Sequence, residues 1–371
     1  TRNIMKIGIL KESGESENRV AVSPKVCSQW AKLGWHLFVE TGAGEATSWK
    51  DSNYEDSGAK IFSRKEVFES CDIICGVNPL DLDSAKQLKE NQLVVSLMFH
   101  RTNNELVEAV KAQKAQYLSL DAIPRISRAQ SMDVLSSQAN LGGYKAVILG
   151  ANHMEKIFPM MMTAAGTITP AKVLIFGVGV AGLQAIATAK RLGAVVEATD
   201  VRPETKEQVE SLGGKFIEVK GVEVESEGGY AKEASDEYRA KQREAVNKSL
   251  ANADLVITTA QVPGRKAPVL IDKEQLSLMK RGSVIVDMAA EQGGNCEGCV
   301  SGEIAEVGGV KIIGALNLPS TVSANASELF AKNIDSLLNL IIKEEKLHLD
   351  MEDEIVNQAL IVNNNQPSTT S

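Results

Sequence analysis

Two groups of residues in this 371-residue chain have the types and spacing to do chemistry. The first is Gly177-Val178-Gly179-Val180-Ala181-Gly182, which follows the apolar run AKVLIF and opens the helical pattern LQAIATAKR. In such a turn the first glycine permits a tight reversal and the second lets a pyrophosphate approach the backbone. The third allows close packing of helix on sheet, and the phosphates rest at the positive end of the helix. The glycine spacing alone is a weak signal. Here Asp200 ends the next apolar run, where a carboxylate accepts hydrogen bonds from an adenosine ribose diol. Together they read as a dinucleotide turn. A carboxylate at that point repels a 2′-phosphate, and although Arg202 could neutralise one, Asp200 favours NAD over NADP.

The second group lies in RAQSMDVLSSQANLGGY, residues 128–144. Gln130, Asp133, Ser136 and Ser137 cluster at the start of a helical pattern, with Leu135, Ala139 and Leu141-Gly142 as its expected buried stripe. Arg125 stands just upstream, after Pro124. The group reads either as a surface that meets a ligand or as an N-capped connecting helix.

Elements that position these residues follow from periodicity. In the first half, MKIGILKE, WHLFVETG, DIICGV, QLVVSLM and QYLSLD read as buried strands. A helix begins near Ser23-Pro24, where Ser caps and Pro suits the first turn, and TNNELVEAVKAQKA has helical spacing. The second half repeats the alternation from AKVLIFGVGVAGLQAIATAKRLGAVVEATDVR through GKFIEV, ADLVITTA, GSVIVDMA and VKIIGALN, and closes with SANASELFAKNIDSLLNLIIKEE. Strands alternating with helices imply parallel sheets covered on both faces. The expected fold is α/β: two Rossmann-like, doubly wound parallel-sheet domains with a ligand-binding cleft between them. The first, discontinuous, takes residues 1–128 and 320–362; the NAD-binding domain takes 129–319; and 363–371 form a flexible polar tail.

Composition bounds the function. A net charge of -8 without a Lys/Arg-rich patch argues against nucleic acid. The best apolar run, Leu337 to Ile342, is interrupted by Asn339 and is too short to cross a bilayer. There is no signal-peptide pattern, and Met5 is the expected natural start. Five cysteines, an odd number, suggest reduced thiols. Cys296 and Cys299 have metal-ligand spacing, but a zinc site needs two more ligands and no histidine lies near. No metal is expected.

PRISRAQSMDVLSSQANLGGY, PMMMTAAGTITP with the glycine turn, GGYAKE, VDMAAEQGGNCEG and KESGESENRVAVSP resemble the NAD(H)-binding components of proton-translocating nicotinamide nucleotide transhydrogenases (alpha subunit, domain I), relatives of alanine dehydrogenase. The resemblance covers nearly the whole chain, and RAQSMD and GGYAKE are not general dehydrogenase motifs. It implies a homodimeric peripheral protein on the cytoplasmic face of the inner membrane, or the matrix face in a mitochondrion. Hydride passes from its NADH to NADP held on a separate component, coupled to proton movement through a membrane-spanning one. By resemblance Arg125, Gln130, Asp133 and Ser136 hold the nicotinamide end, with Ser127 and Arg128 beside them. Gly177, Gly179, Val180, Asp200, Val201 and Arg202 hold the adenosine side, and Gln261 also meets the cofactor. Gly229 and Tyr230 belong to a mobile loop that closes over it. One departure is Ala234, where the family's loop carries Met, so the loop's apolar grip is expected to be weaker.

Hydride transfer between two nicotinamides needs apposition and orientation, so amides, hydroxyls and one charged pair suffice. An alanine dehydrogenase-like amino-acid dehydrogenase is the nearest rival. Oxidative deamination needs proton transfer and a carboxylate anchor; Arg19 matches and His100 is available, but Gly76, Val77 and Asn78 stand where a lysine belongs, and Glu291 replaces an aspartate. A non-catalytic NAD-binding module is the other rival; it would bind NADH yet reduce nothing when the NADP-binding component is supplied. Saccharopine-type and 2-hydroxy-acid dehydrogenases share the fold but lack RAQSMD.

Overall fold

A computed structural model of the chain describes residues 4–219, 236–262 and 265–364. It divides into two units, residues 1–138 with 319–371 and residues 139–318. Sequence reading placed the first crossing at 128/129. In the structure it falls within the helix Val134–His153.

In the first unit, β1 (Lys6–Ile9), β2 (His36–Glu40), β3 (Lys60–Phe62), β4 (Ile73–Cys75), β5 (Leu93–Ser96) and β6 (Gln116–Ser119) lie parallel in the order β3-β2-β1-β4-β5-β6. Both faces are covered, so β4, β5 and β6 are buried at every position. Alternate residues feed separate cores: Ile7, Ile9, Ile73, Leu93 and Val95 point to one face, and Ile74 and Val94 to the other. Each such side chain contributes roughly 1.5–3 kcal/mol on burial, enough for a short strand to hold. The helix Pro24–Lys32 starts as its sequence predicts, with the Ser23 side chain accepting from the Val26 amide.

The second unit carries β7 (Met161–Thr163) and β8 (Gly166–Ile168), a hairpin exposed at every residue. Then come β9 (Lys172–Phe176), β10 (Val195–Thr199), β11 (Lys215–Phe216), β12 (Leu255–Thr258), β13 (Val284–Asp287), β14 (Ile304–Val307) and β15 (Val310–Gly314). Their order is β11-β10-β9-β12-β13-β15-β14, with only β14 antiparallel. In each sheet the connections reverse direction beside the first strand, between β1 and β4 and between β9 and β12. The crevice beyond the C-terminal ends of strands at such a reversal is where doubly wound sheets bind ligands.

The chain returns to the first unit through the helix Ser323–Ile341, the small hairpin β16 (Ile342–Lys343) and β17 (Lys346–Leu347), and the helix Glu354–Ala359. It ends on β18 (Leu360–Val362), antiparallel to β6. The minor strands were not legible in the sequence. β3 and β18 are three-residue edge strands, too short to show a period. β14 is largely exposed, and the β7–β8 hairpin packs no face, so neither carries a buried apolar run.

Candidate functional site

The glycine turn follows β9 directly. Gly177 has φ +94°, left-handed backbone that suits glycine, and a Cβ there would lie 2.4 Å from the Thr259 Oγ1. A Cβ on Gly182 would stand 1.8 Å from the Gly177 carbonyl oxygen, so helix and turn touch through bare backbone. Gly179 is the opposite case. A Cβ there would meet nothing within 4 Å, and no side chain caps the helix Val180–Arg191 that it precedes. The space beside Gly179 is therefore open, and the first amides of that helix have no side-chain cap. Thr259 stitches the turn from β12, its hydroxyl 2.9 Å from the Phe176 carbonyl and 3.2 Å from that of Gly177. Buried Asn295 holds the next residue: its amide accepts from the Ala260 backbone and donates to the Ala260 carbonyl. Sequence reasoning singled out neither Thr259 nor Asn295, since each acts across strands rather than within a motif.

Asp200 lies just past the end of β10, its side chain 5% exposed. It accepts from the Val178 amide at 2.7 Å and from the amide and guanidinium of Arg202. Burial alone would raise its pKa, but the Arg202 guanidinium and the two backbone amides hold it below the ordinary carboxylate range. Arg202 is thus committed to Asp200 rather than free for a phosphate. Val180 and Val201 are exposed, Val201 by 86%. Gln261, also exposed, donates to the Met288 carbonyl at 2.7 Å. Gly229, Tyr230 and Ala234 lie outside the described residues.

The polar stretch of the first unit forms a 3-10 turn, Ser127–Met132, followed by the helix Val134–His153. Asp133 caps that helix. One carboxylate oxygen accepts from the Ser136 amide at 2.9 Å and the other from the Ser136 hydroxyl at 2.6 Å. Arg128 makes a two-pronged bond to Asp353 at 2.7 and 2.8 Å, which holds the Asp353 pKa down to about 2. Ser127, Arg125 and Gln130 are not buried. Neither the Arg125 guanidinium nor the Gln130 amide has a hydrogen-bond or ion-pair partner among the described residues. The expected buried stripe is corrected: Leu135 is 38% exposed, Ala139 and Leu141 are only half-buried and Gly142 alone of the four is buried, while Ala129, Met132, Val134 and Gln138 are the buried residues here.

Beyond β1 and β4, the first unit's own reversal point is filled by its side chains. Glu12 accepts from the amides of Val77 and Asn78 and from the Asn78 side chain, which also donates to Glu17 at 2.9 Å. Burial raises the pKa of Glu12. Burial would do the same to Glu17, but Arg19 and Asn78 bring its pKa down to about 2. Arg19 is buried, with two bonds to the Glu17 carboxylate and one to Gln138 at 3.0 Å.

Two family descriptions match this chain: the N-terminal domain of alanine dehydrogenase/PNT over residues 8–142, and the C-terminal domain over 146–369. Over 363 residues it is 50% identical to an NAD(P) transhydrogenase subunit alpha polypeptide of Rhodospirillum rubrum, covering 95% of this chain and 94% of that one. The crystal structure of transhydrogenase from Sinorhizobium meliloti, 44% identical, superposes with a TM-score of 0.89 and covers 97% of this chain and 99% of that. Alanine dehydrogenase 2 of Staphylococcus aureus is 30% identical over 295 residues, 78% of this chain and 73% of that one.

Proposed function

This chain belongs to the alanine dehydrogenase/PNT family, and on that premise we propose that it is the NAD(H)-binding component of a proton-translocating NAD(P) transhydrogenase. In this reading the open turn at Gly179 takes the pyrophosphate, Asp200 the adenosine ribose, and Val180 and Val201 give the adenosine an apolar surface, with Arg202 and Gln261 beside it. Bound NADH supplies the hydride. Arg125 and Gln130 hold and orient the nicotinamide end, and Asp133 with Ser136 fixes the start of the helix behind them, with Ser127 and Arg128 on the same turn. Gly229 and Tyr230, outside the described residues, would add further contacts to the cofactor.

The observation that carries the reading is the chemistry of the exposed turn. Arg125 does not lose its proton in a protein and Gln130 has no group that titrates. Such groups orient a ring but do not run acid-base chemistry, which suits transfer between two nicotinamides. Amino-acid deamination would need a proton carrier; Asn78, where the rival places a lysine, is neutral and already bound to two glutamates.

The acceptor NADP is held on a partner component, and a membrane-spanning component carries the proton. Among the described residues no helix is long and apolar enough to cross a membrane. In this reading the chain sits peripherally, on the cytoplasmic or matrix face, as a homodimer. The test is Gln130→Asn, one methylene shorter. Displacing reacting atoms by about 1 Å costs on the order of a hundredfold in rate. Single-turnover transfer to a separately made NADP-binding component should fall by about tenfold or more, while NADH affinity stays within about threefold. An unchanged transfer rate would return the turn to a connecting role.

A further inference from the structure

The turn that carries Gln130 is held from the far end of its unit. Asn333 lies on the helix Ser323–Ile341 with 7% of its surface exposed. Its Nδ2 donates to the Ser131 carbonyl at 2.8 Å, and its Oδ1 accepts from the Ser137 hydroxyl at 2.7 Å. Ser131 is the residue after Gln130 and Ser137 the residue after Ser136, so one side chain grips both ends of the segment Gln130–Ser136. The Asn333 amide does this by donating through its nitrogen while accepting through its oxygen.

The grip is itself supported. Gln138 donates to the Ser137 hydroxyl and to the Ala326 carbonyl, and receives Arg19. The same turn is tied a second time, by Arg128 to Asp353, but the Arg128 side chain is 53% exposed. That ion pair is partly screened by salt, whereas the two bonds of the buried Asn333 side chain are neutral and act on the backbone and hydroxyl that flank the segment.

We propose that Asn333 is a positioning residue for hydride transfer: by fixing Ser131 and Ser137 it sets where the Gln130 amide stands. The inference rests on the reading that Gln130 meets the nicotinamide. Asn333→Ala removes both bonds. Ser137→Ala, a gentler change, removes one and guards against a variant that fails to fold. Each is made alone and together with Gln130→Ala. Transfer from NADH is followed by stopped flow with the NADP-binding component, beside an equilibrium NADH titration and thermal unfolding.

Asn333→Ala should slow transfer about fivefold or more and Ser137→Ala about twofold, with the NADH dissociation constant within about threefold in both. In the Gln130→Ala background Asn333→Ala should change transfer by less than about twofold and Ser137→Ala should leave it unchanged, because residues acting as one unit are not additive. A purely structural Asn333 would slow both backgrounds equally, or lower only the melting temperature, and either result overturns the inference. If Gln130→Ala itself transfers hydride at the original rate, the reading of the turn fails and the inference goes with it. If Gln130→Ala is slow but Asn333→Ala and Ser137→Ala are not, the inference fails alone.

Discussion

Asp200 is the residue on which nucleotide choice turns. Its carboxylate stays charged because Arg202 and two backbone amides stabilise the ionised form, and a 2′-phosphate would have to approach that charge. Arg202, already committed to Asp200, offsets the repulsion only in part. NADH should therefore bind about tenfold tighter than NADPH or better, each decade being about 1.4 kcal/mol. Asp200→Asn should bring the ratio within about threefold, measured by titrating the fluorescence of each reduced nucleotide. A ratio that does not move would leave Asp200 the backbone role it visibly has, receiving the Val178 amide.

At the scale of elements, the strand-turn-helix from β9 to β10 separates two uses of glycine. Gly182 is needed by packing, since a Cβ would collide with the Gly177 carbonyl. Gly182→Ala should cost about 1–3 kcal/mol in chemical unfolding, the usual range for forcing an extra methylene into a packed site. Gly179 has open space around it and no left-handed requirement. Gly179→Ala should unfold like the original protein yet bind NADH about tenfold or more weakly, because the added methyl would stand where a pyrophosphate must approach the backbone. Normal NADH affinity in Gly179→Ala would remove the phosphate from this turn. Both glycines were visible in the sequence, because the whole unit spans a few dozen residues and each role is local. The space around the turn was not, since Thr259 reaches it from beyond the end of a neighbouring strand.

At the scale of the whole molecule, the β7–β8 hairpin and the residue before it present Met160, Met161, Met162 and Ile168 to solvent, Met162 by 75%. Met161 and Ile168 pair across the hairpin, and such exposed apolar side chains would suit the contact surface of the proposed homodimer. Met162→Lys should shift the sedimenting species from twice the mass of one chain toward a single chain at micromolar concentration. A variant that stays dimeric would place the contact elsewhere.

The sequence by itself determined the α/β class, the alternation of buried strands, the strand-glycine turn-helix from β9 and the Ser23 cap of the first helix. These rest on periods of two and 3.6 residues and on motifs a few dozen residues long, which local sterics and hydrogen bonding dictate. Tertiary structure alone decided which polar groups are spent and which are free. Arg19 and Asn78 look available in sequence but are consumed by Glu12, Glu17 and Gln138. Arg128 is tied to Asp353, 225 residues away, and Ser131 is held by Asn333, 202 residues away. Gln130 and Arg125 look no different in sequence, yet they stay open to solvent and without a protein partner among the described residues. A buried polar group must find a partner wherever the fold brings one, and chain separation gives no sign of which groups will meet.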